Sequence, residues 1–313
     1  MSREAFKEIN FRAESVAMIA LCDRVIAQYQ AQGFRLTLRQ LYYQLVTRNV
    51  IKNTEREYKR IGALLSDARL AGLIDWDAIE DRVRIPRVPT EFENLRDLVE
   101  AAVRSYRLPR WRDQEHYVEL WVEKDALAGV LQPLAREFHV TLMVNRGYSS
   151  QSAMYESGKR FQDAAEQGKE CTLFYLGDHD PSGEDMVRDV RDRLELFGVD
   201  LTVEKIALTM NQVRQYNPPP NPAKMSDSRA SGYVALHGNE SWEVDAIPPN
   251  VLQTLIRTAI DRLVDGTKLD VILDREQQDK QKLKAAVDRL MNGTEADPED
   301  QGGDYEGSDD EGG

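Results

Sequence analysis

Residues 117–123 (YVELWVE) and 171–183 (CTLFYLGDHDPSG) decide the fold of this chain, because each contains an apolar run that ends in acidic residues. Two further apolar runs, 140–144 and 201–208, are also predicted to form strands. The predicted helices between them cover 125–138, 150–167 and 183–197. This alternation is typical of a parallel sheet with helices on both faces, so the sequence predicts an α/β domain.

Three carboxylates lie at the predicted carboxyl ends of these strands. Glu123 ends the first strand, and Asp178 and Asp180 end the third. Side chains at alternate positions of an extended segment point to the same side, so the two aspartates can converge, with Glu123 joining from a neighbouring strand. Hard oxygen ligands without Cys or His suit Mg²⁺ or Mn²⁺. The alternative interpretation is a turn and a helix N-cap, for which Asp-Pro and Ser-Gly are ordinary residues.

The first third of the chain has the pattern of short helices joined by tight turns. A helix over 14–29 is followed by two capping-box sequences, 37–40 (TLRQ) and 54–57 (TERE), and each predicts the start of another helix. Short helices followed by an extended basic segment are typical of a winged helix, which places its second helix in a DNA groove. The candidate DNA contacts on the third helix are Arg56, Lys59 and Arg60, and the alternative is a solvated helix face.

Two adjacent tyrosines in the helix that begins after residue 37 have different predicted roles. Tyr42 belongs to an apolar stripe with Leu38, Leu41 and Leu45, so we expect it in the core. Tyr43 is rotated by about 100° from Tyr42 and shares its flank with Arg39, four residues earlier. This flank is predicted to face a ligand.

The charge is distributed unevenly along the chain. Of the formal net charge of −13, nine carboxylates and no Lys or Arg lie in residues 294–313, whereas residues 1–113 hold 20 Lys and Arg against 16 Asp and Glu. An acidic whole chain argues against nucleic acid as a partner, but the mildly basic front section does not. The acidic tail has almost no apolar residues, and we expect it to be disordered.

Membrane insertion and a disulfide framework are not expected. The sequence has no run of about 18 apolar residues, and residues 1–11 are too polar for the apolar region of a signal peptide. The two cysteines, Cys22 and Cys171, are interpreted as small core residues in a reducing compartment. These features predict a cytoplasmic protein with no membrane partner.

Several segments together resemble the topoisomerase VI A subunit and the related meiotic double-strand-break proteins. Residues 119–131 (ELWVEKDALAGVL), 145–150 (NRGYSS) and 174–186 (FYLGDHDPSGEDM) are similar to the Toprim domain of that family. Residues 37–46 (TLRQLYYQLV) are similar to its upstream winged helix, and 241–256 (SWEVDAIPPNVLQTLI) to a segment near the end of its Toprim domain. The resemblance implies a winged-helix domain followed by a Toprim domain with a Rossmann-like parallel sheet.

The same resemblance implies an activity and assigns residues to it. A divalent metal, Mg²⁺ or Mn²⁺, would be bound by Glu123, Asp178 and Asp180. Tyr43 would attack a DNA phosphate, and Arg39 would favour the ionised form of its phenol. Lys124 and Arg146 are further candidate DNA contacts, and the alternative for each is a solvated surface charge.

The resemblance also implies partners. In this family the tyrosine of one protomer meets the metal site of the other, so a homodimer would cut both strands of double-stranded DNA. The sequence contains no ATPase motif, so strand passage driven by nucleotide would need a separate ATPase subunit. Two alternatives remain open: a Toprim nuclease in which water is the nucleophile, and a non-catalytic DNA-binding scaffold.

These interpretations predict four segments. Residues 1–90 are expected to form the helical and winged-helix DNA-binding domain, and 91–113 a linker helix. Residues 114–290 are expected to form the Toprim domain with C-terminal helices, and 291–313 the disordered acidic tail.

Overall fold

The computed structural model describes residues 3–80, 89–145, 147, 149–227 and 229–293. These residues belong to two compact units. Residues 3–80 and 110–266 make up the first unit, and 89–109 and 267–293 make up the second.

A four-stranded parallel sheet forms the centre of the first unit, and its strand order is β2-β1-β3-β4. The strands are β1 (His116–Val122), β2 (Thr141–Val144), β3 (Glu170–Leu176) and β4 (Thr202–Ala207). Two short strands pair separately in an antiparallel manner, β5 (Asn221–Pro222) and β6 (Glu240–Ser241). The predicted α/β class and all four predicted strands are confirmed, with strand ends displaced by one residue at most.

The described part of the chain contains eleven α-helices. They are α1 (Ala13–Gln30), α2 (Leu38–Thr47), α3 (Glu55–Leu70), α4 (Leu95–Ser105), α5 (Asp125–Phe138), α6 (Gln151–Glu166), α7 (Pro181–Glu195), α8 (Met210–Tyr216), α9 (Ala230–His237), α10 (Pro249–Asp261) and α11 (Gly266–Gly293). The helices predicted between the strands are confirmed as α5, α6 and α7. Among the described helices, none combines the length and the apolarity that a membrane span requires.

Helices cover both faces of the sheet because side chains along each strand alternate between the faces. On one face, Leu120 and Phe174 pack in a core with residues of α5 and α10. On the other face, Trp121 and Tyr175 pack in a separate core with residues of α6 and α7. The sheet is therefore buried on both sides, as the alternation of strands and helices predicts.

The N-terminal helices start where the capping sequences predict. The Thr37 hydroxyl accepts a hydrogen bond from the Gln40 amide at 3.2 Å, and the Gln40 side chain accepts one from the Thr37 amide at 2.9 Å. Tyr42 is buried, as predicted, and its hydroxyl accepts a hydrogen bond from the Thr54 amide at 2.8 Å. This contact joins α2 to the start of α3.

The winged helix stays a prediction. Residues 81–88, where the extended basic segment is predicted, lie outside the described residues. Residues 3–80 contain three α-helices and one 3-10 turn but no β-hairpin.

The two units are divided differently from the predicted domains. Residues 3–80 belong to the same unit as the sheet, because α2 packs against a 3-10 turn at Val244–Ala246. The predicted linker helix is α4, which belongs to a unit with α11 instead of connecting two domains. Within that unit, the Tyr106 hydroxyl bonds to Asp279 at 3.1 Å, and the Leu108 amide bonds to Glu276 at 2.9 Å. Helix α11 extends to Gly293, past the predicted start of the acidic tail at 291, while residues 294–313 lie outside the described part.

A buried carboxylate holds α6 against the sheet. Glu119 of β1 is fully buried, and Arg160 of α6 donates to both of its oxygens, at 2.7 and 3.0 Å. The Tyr117 hydroxyl and the Trp121 indole N–H each donate to Glu119 at 2.8 Å. Because the charge is paired and its oxygens are hydrogen-bonded, it is tolerated in the core.

We expect Glu119→Gln to lower the free energy of unfolding by about 3 kcal/mol, since it leaves the Arg160 guanidinium half-buried without its counter-charge. The matched control is Glu137→Gln, which breaks the exposed pair with Arg257 and should cost less than about 1 kcal/mol. Urea unfolding measures both values. Equal losses in the two variants would contradict the structural role of Glu119.

Candidate functional site

The candidate site lies at the carboxyl ends of β1 and β3. These strands are neighbours in the sheet although β2 separates them along the chain, so the connections leave in opposite directions at this point. Parallel sheets bind ligands in the crevice that such a reversal creates. Glu123 follows β1 directly, Asp178 follows β3 after one glycine, and the Asp178 amide donates a hydrogen bond to the Glu123 carboxylate at 3.1 Å.

Asp178 is a buried carboxylate with both oxygens occupied. Its side chain accepts from the Lys124 ammonium at 2.7 Å and from the Val244 amide at 2.9 Å. Burial first, and then the charges of Glu123 and Asp245, raise the pKa of Asp178 to about 7, although Lys124 acts in the opposite direction. Burial therefore outweighs the attraction of the Lys124 ammonium and favours the protonated form of Asp178.

Asp180 has a different environment from Asp178. Its side chain caps α7 by accepting from the Gly183 amide at 2.6 Å and from the Ser182 hydroxyl at 2.9 Å. This is the N-cap that the alternative interpretation describes. The turn is tight, because a Cβ atom on Gly183 would lie 2.3 Å from the Asp178 carbonyl oxygen.

Glu123 adds a further carboxylate to this edge. Burial raises the pKa of Glu123, and the charge of Asp180 raises it further, whereas the hydrogen bond from the Asp178 amide, Lys124 and Lys205 lower it. In the part of the chain that the structure describes, no three acidic, His or Cys side chains are arranged so that they could hold a metal ion as they stand.

Two carboxylates that our sequence reasoning did not assign to the site complete the cluster. Glu243 and Asp245 lie in the segment after β6, which a two-way backbone hydrogen-bond pair between His179 and Trp242 attaches to the aspartate turn. In the sequence, these two residues are indicated by the resemblance of residues 241–256 to a segment of the topoisomerase VI A family. Spacing along the chain does not reveal them, since they follow Glu123 by more than a hundred residues.

Lys124 lies at the centre of the cluster. Its ammonium is 2.7 Å from Asp178, 2.9 Å from Glu243 and 3.4 Å from Asp245. Burial lowers the pKa of Lys124, but these three carboxylates outweigh it and raise the pKa, so the ammonium stays charged. The structure thus places Lys124, a predicted DNA contact, in contact with the acidic residues of its own chain.

Arg39 extends the cluster to α2. Its guanidinium donates to Glu243 and lies 2.8 Å from Asp245. Asp245 is fully buried, and burial raises its pKa although Lys124 and Arg39 act against this. For Glu243, burial acts upward, but Lys124 and Arg39 dominate and lower its pKa to about 2.

Tyr43 does not face solvent, which corrects the prediction that its flank is open to a ligand. The side chain is 4% exposed because α2 packs against the segment that carries Glu243 and Asp245. Burial, followed by the charges of Glu243 and Asp245, raises the pKa of Tyr43, whereas Arg39 lowers it. The Arg39 guanidinium is 5.8 Å from the Tyr43 ring centre, as their shared flank predicts.

The other candidate DNA contacts lie apart from this cluster of ion pairs or outside the described residues. Arg56, Lys59 and Arg60 are exposed on α3, where Lys59 pairs with Glu55 and Arg60 with Glu57. Arg146 lies outside the described residues.

A second polar group supports the aspartate turn from the side of β4. The Lys205 ammonium donates to the Asp178 carbonyl oxygen at 2.6 Å and to Glu184 at 2.7 Å. His179 is buried, and its ring contacts the Tyr233 hydroxyl at 2.8 Å. Burial lowers the pKa of His179 to about 4, so this ring is neutral and structural at neutral pH.

Negative charge predominates in the candidate site. Two cations, Arg39 and Lys124, form ion pairs with Asp178, Glu243 and Asp245, and the carboxylates of Glu123 and Asp180 lie at the same edge. Burial is the first cause of the raised pKa values of Glu123 and Asp178, and neighbouring carboxylates raise them further. Such a site attracts a cation.

Comparison with protein-family models, with curated proteins and with solved structures finds no significant match to this chain. The function is therefore argued from the site itself.

We expect the stability of the protein to depend on the ionisation of Asp178. The pKa of Asp178 in the folded protein, about 7, is above its ordinary value of 3.8, so stability is lost as the pH rises through this range. Relative to Asp178→Asn, the wild-type free energy of unfolding should fall between pH 5 and pH 7, by at most about 1.4 kcal/mol per pH unit, and level off above this range.

Urea unfolding at several pH values tests this dependence. Glu137→Gln is the control, because the pKa of Glu137 is lowered and its carboxylate stays ionised throughout the range. Parallel curves for wild type and Asp178→Asn would show that Asp178 does not titrate in this range.

Proposed function

We propose that this protein cleaves double-stranded DNA in a metal-dependent reaction, with Tyr43 as the nucleophile and a topoisomerase VI A-like arrangement of winged-helix and Toprim domains. The observation that carries the proposal is the joint arrangement of two features. Glu123 and Asp178 lie side by side at the reversal point of a parallel sheet. Lys124 also pairs with Glu243, which in turn pairs with Arg39 and acts by its charge on Tyr43.

The donor set at this edge fits a hard divalent cation, Mg²⁺ or Mn²⁺. Glu123 and Asp178 would supply carboxylate oxygens, which are the ligands that such a cation prefers. Asp180 is the third proposed ligand; it caps α7, and its charge acts on Glu123. When bound, the metal would balance charge on the DNA phosphate and on the leaving oxygen.

Tyr43 supplies the covalent step in this proposal. Its phenolic oxygen forms a bond to phosphorus, the bond from phosphorus to the 3′ oxygen breaks, the phenol proton passes to water, and the leaving oxygen takes up a proton from water. The phosphotyrosyl bond reseals when the 3′ oxygen attacks in return. A phenol is a poor nucleophile at neutral pH, and Arg39 is the neighbouring cation that acts against the raised pKa of Tyr43.

Double-strand cleavage calls for two copies of the chain, because each copy offers one Tyr43. We therefore include a homodimer in the proposal, with Arg56, Lys59, Arg60 and Arg146 as further DNA contacts. Strand passage would add a separate ATPase subunit. A DNA substrate and two free, buried cysteines both fit the cytoplasm.

A second candidate function keeps the metal and replaces the tyrosine by water. The observation that favours this nuclease is the burial of Tyr43, which is 4% exposed and has a raised pKa. The non-catalytic scaffold has one observation in its favour, namely that Lys124 already pairs with Asp178.

We expect Mg²⁺ to raise the melting temperature of the wild-type protein by about 3 °C at a tenfold excess over its dissociation constant. Glu123→Gln and Asp178→Asn should reduce this shift, because each removes one proposed ligand charge. Glu137→Gln should keep it, since this residue lies in an exposed pair with Arg257. An equal shift in all four proteins would place the bound metal elsewhere and contradict the proposed ligands.

We expect Tyr43→Phe to fold normally and to form no covalent DNA adduct on a denaturing gel with labelled duplex and Mg²⁺. The matched control is Tyr42→Phe, which should keep the adduct while losing about 1 to 3 kcal/mol of stability, because the Thr54 amide loses its acceptor. Cleavage by Tyr43→Phe at the wild-type rate would favour water as the nucleophile. No binding or cleavage of DNA by the wild type would refute both enzymatic candidates.

A further inference from the structure

One carboxylate, that of Glu243, is held by donors from three separate segments of the chain. The Arg39 guanidinium and the Lys124 ammonium both donate to its Oε2 atom, the latter at 2.9 Å. The Asn221 amide group lies 3.5 Å from its Oε1 atom. A guanidinium, an ammonium and a side-chain amide form a donor set that binds a phosphate as well as a carboxylate.

Glu243 and its neighbour Asp245 differ in how accessible they are. The Asp245 side chain is fully buried beneath Arg39 and Lys124, whereas the Glu243 side chain is 23% exposed. Asp245 can thus keep both cations in place from the protein interior. Glu243 contacts them from the side that solvent reaches, so an incoming anion would compete with it.

The nucleophile proposed above faces the same carboxylate. Helix α2, which carries Tyr43, packs against the segment of Glu243, and the negative charge of Glu243 raises the pKa of the phenol. An anion in place of the Glu243 carboxylate would therefore contact Arg39 and Lys124 and lie beside the Tyr43 hydroxyl. This is the position that the scissile phosphate must take if Tyr43 is to attack phosphorus.

We propose that Arg39, Lys124 and Asn221 form a binding site for a DNA phosphodiester and that Glu243 occupies this site when DNA is absent. The inference rests on the proposed function for the identity of the ligand. On binding, the phosphodiester displaces the Glu243 carboxylate and takes over its donors, while Asp245 continues to hold both cations. The exchange replaces one singly charged anion by another and involves no covalent step.

The experiment compares DNA affinities of the full chain without metal, so that no cleavage takes place. Fluorescence anisotropy of a short labelled duplex in chelator gives the dissociation constants of wild type, Glu243→Gln and Glu137→Gln. We expect Glu243→Gln to bind about tenfold more tightly than wild type, because the competing charge is removed from the donors. Glu137→Gln makes the same change in net charge on an exposed pair and should have at most a small effect.

A further variant at position 243 distinguishes the effect of the side chain's reach into the donor site from the effect of its negative charge. Glu243→Asp keeps the negative charge but shortens the side chain by one methylene, so we expect its affinity to lie between those of wild type and Glu243→Gln. If Glu243→Gln loses its cooperative melting transition, Glu243→Asp decides the test and must bind more tightly than wild type.

The outcomes distinguish this inference from the proposed function. Equal affinities of Glu243→Gln and Glu137→Gln, or weaker binding by Glu243→Gln, would overturn the inference whatever Tyr43 does. A protein whose Tyr43→Phe variant still cleaves DNA can show the affinity gain in full, since the measurement requires no nucleophile.

Discussion

The contacts of the Lys124 ammonium with Asp178, Glu243 and Asp245 are the interaction on which the rest of the site depends. They join the end of β1, the turn after β3 and the segment after β6, three parts of the chain that are distant in sequence. Arg39 then attaches α2 to the same carboxylates. Without a cation at this position, these three carboxylates would repel one another, and the end of β1 would lose its ion pairs with the segment after β6.

Much of this architecture can be predicted from the sequence because its signals are local. Apolar runs predict the strands, and the TLRQ capping box predicts the start of α2, since both depend on residues a few positions apart. The pairing of Glu123 with Asp178 also follows from strand ends that lie side by side. The alternating pattern contains enough information to place these two carboxylates at one edge of the sheet.

The remaining features depend on contacts that no local pattern encodes. Helical periodicity places Tyr43 on a polar flank, but that flank is covered by residues about 200 positions further on. For the same reason, the sequence does not reveal that the Lys124 ammonium is in contact with three carboxylates of its own chain. The role of Asp180 cannot be predicted from the local sequence either. An Asp before Pro and Gly suits both a helix cap and a metal ligand, and the two roles differ in which groups contact its oxygens.

The close approach at Gly183 has a consequence for how this architecture can diverge among related chains. A Cβ atom there would overlap the Asp178 carbonyl oxygen at 2.3 Å, so even alanine requires the backbone of the turn to move. Glycine at position 183 and its spacing from Asp178 should therefore be retained among related chains, and a search for distant relatives is better anchored on this glycine than on overall identity.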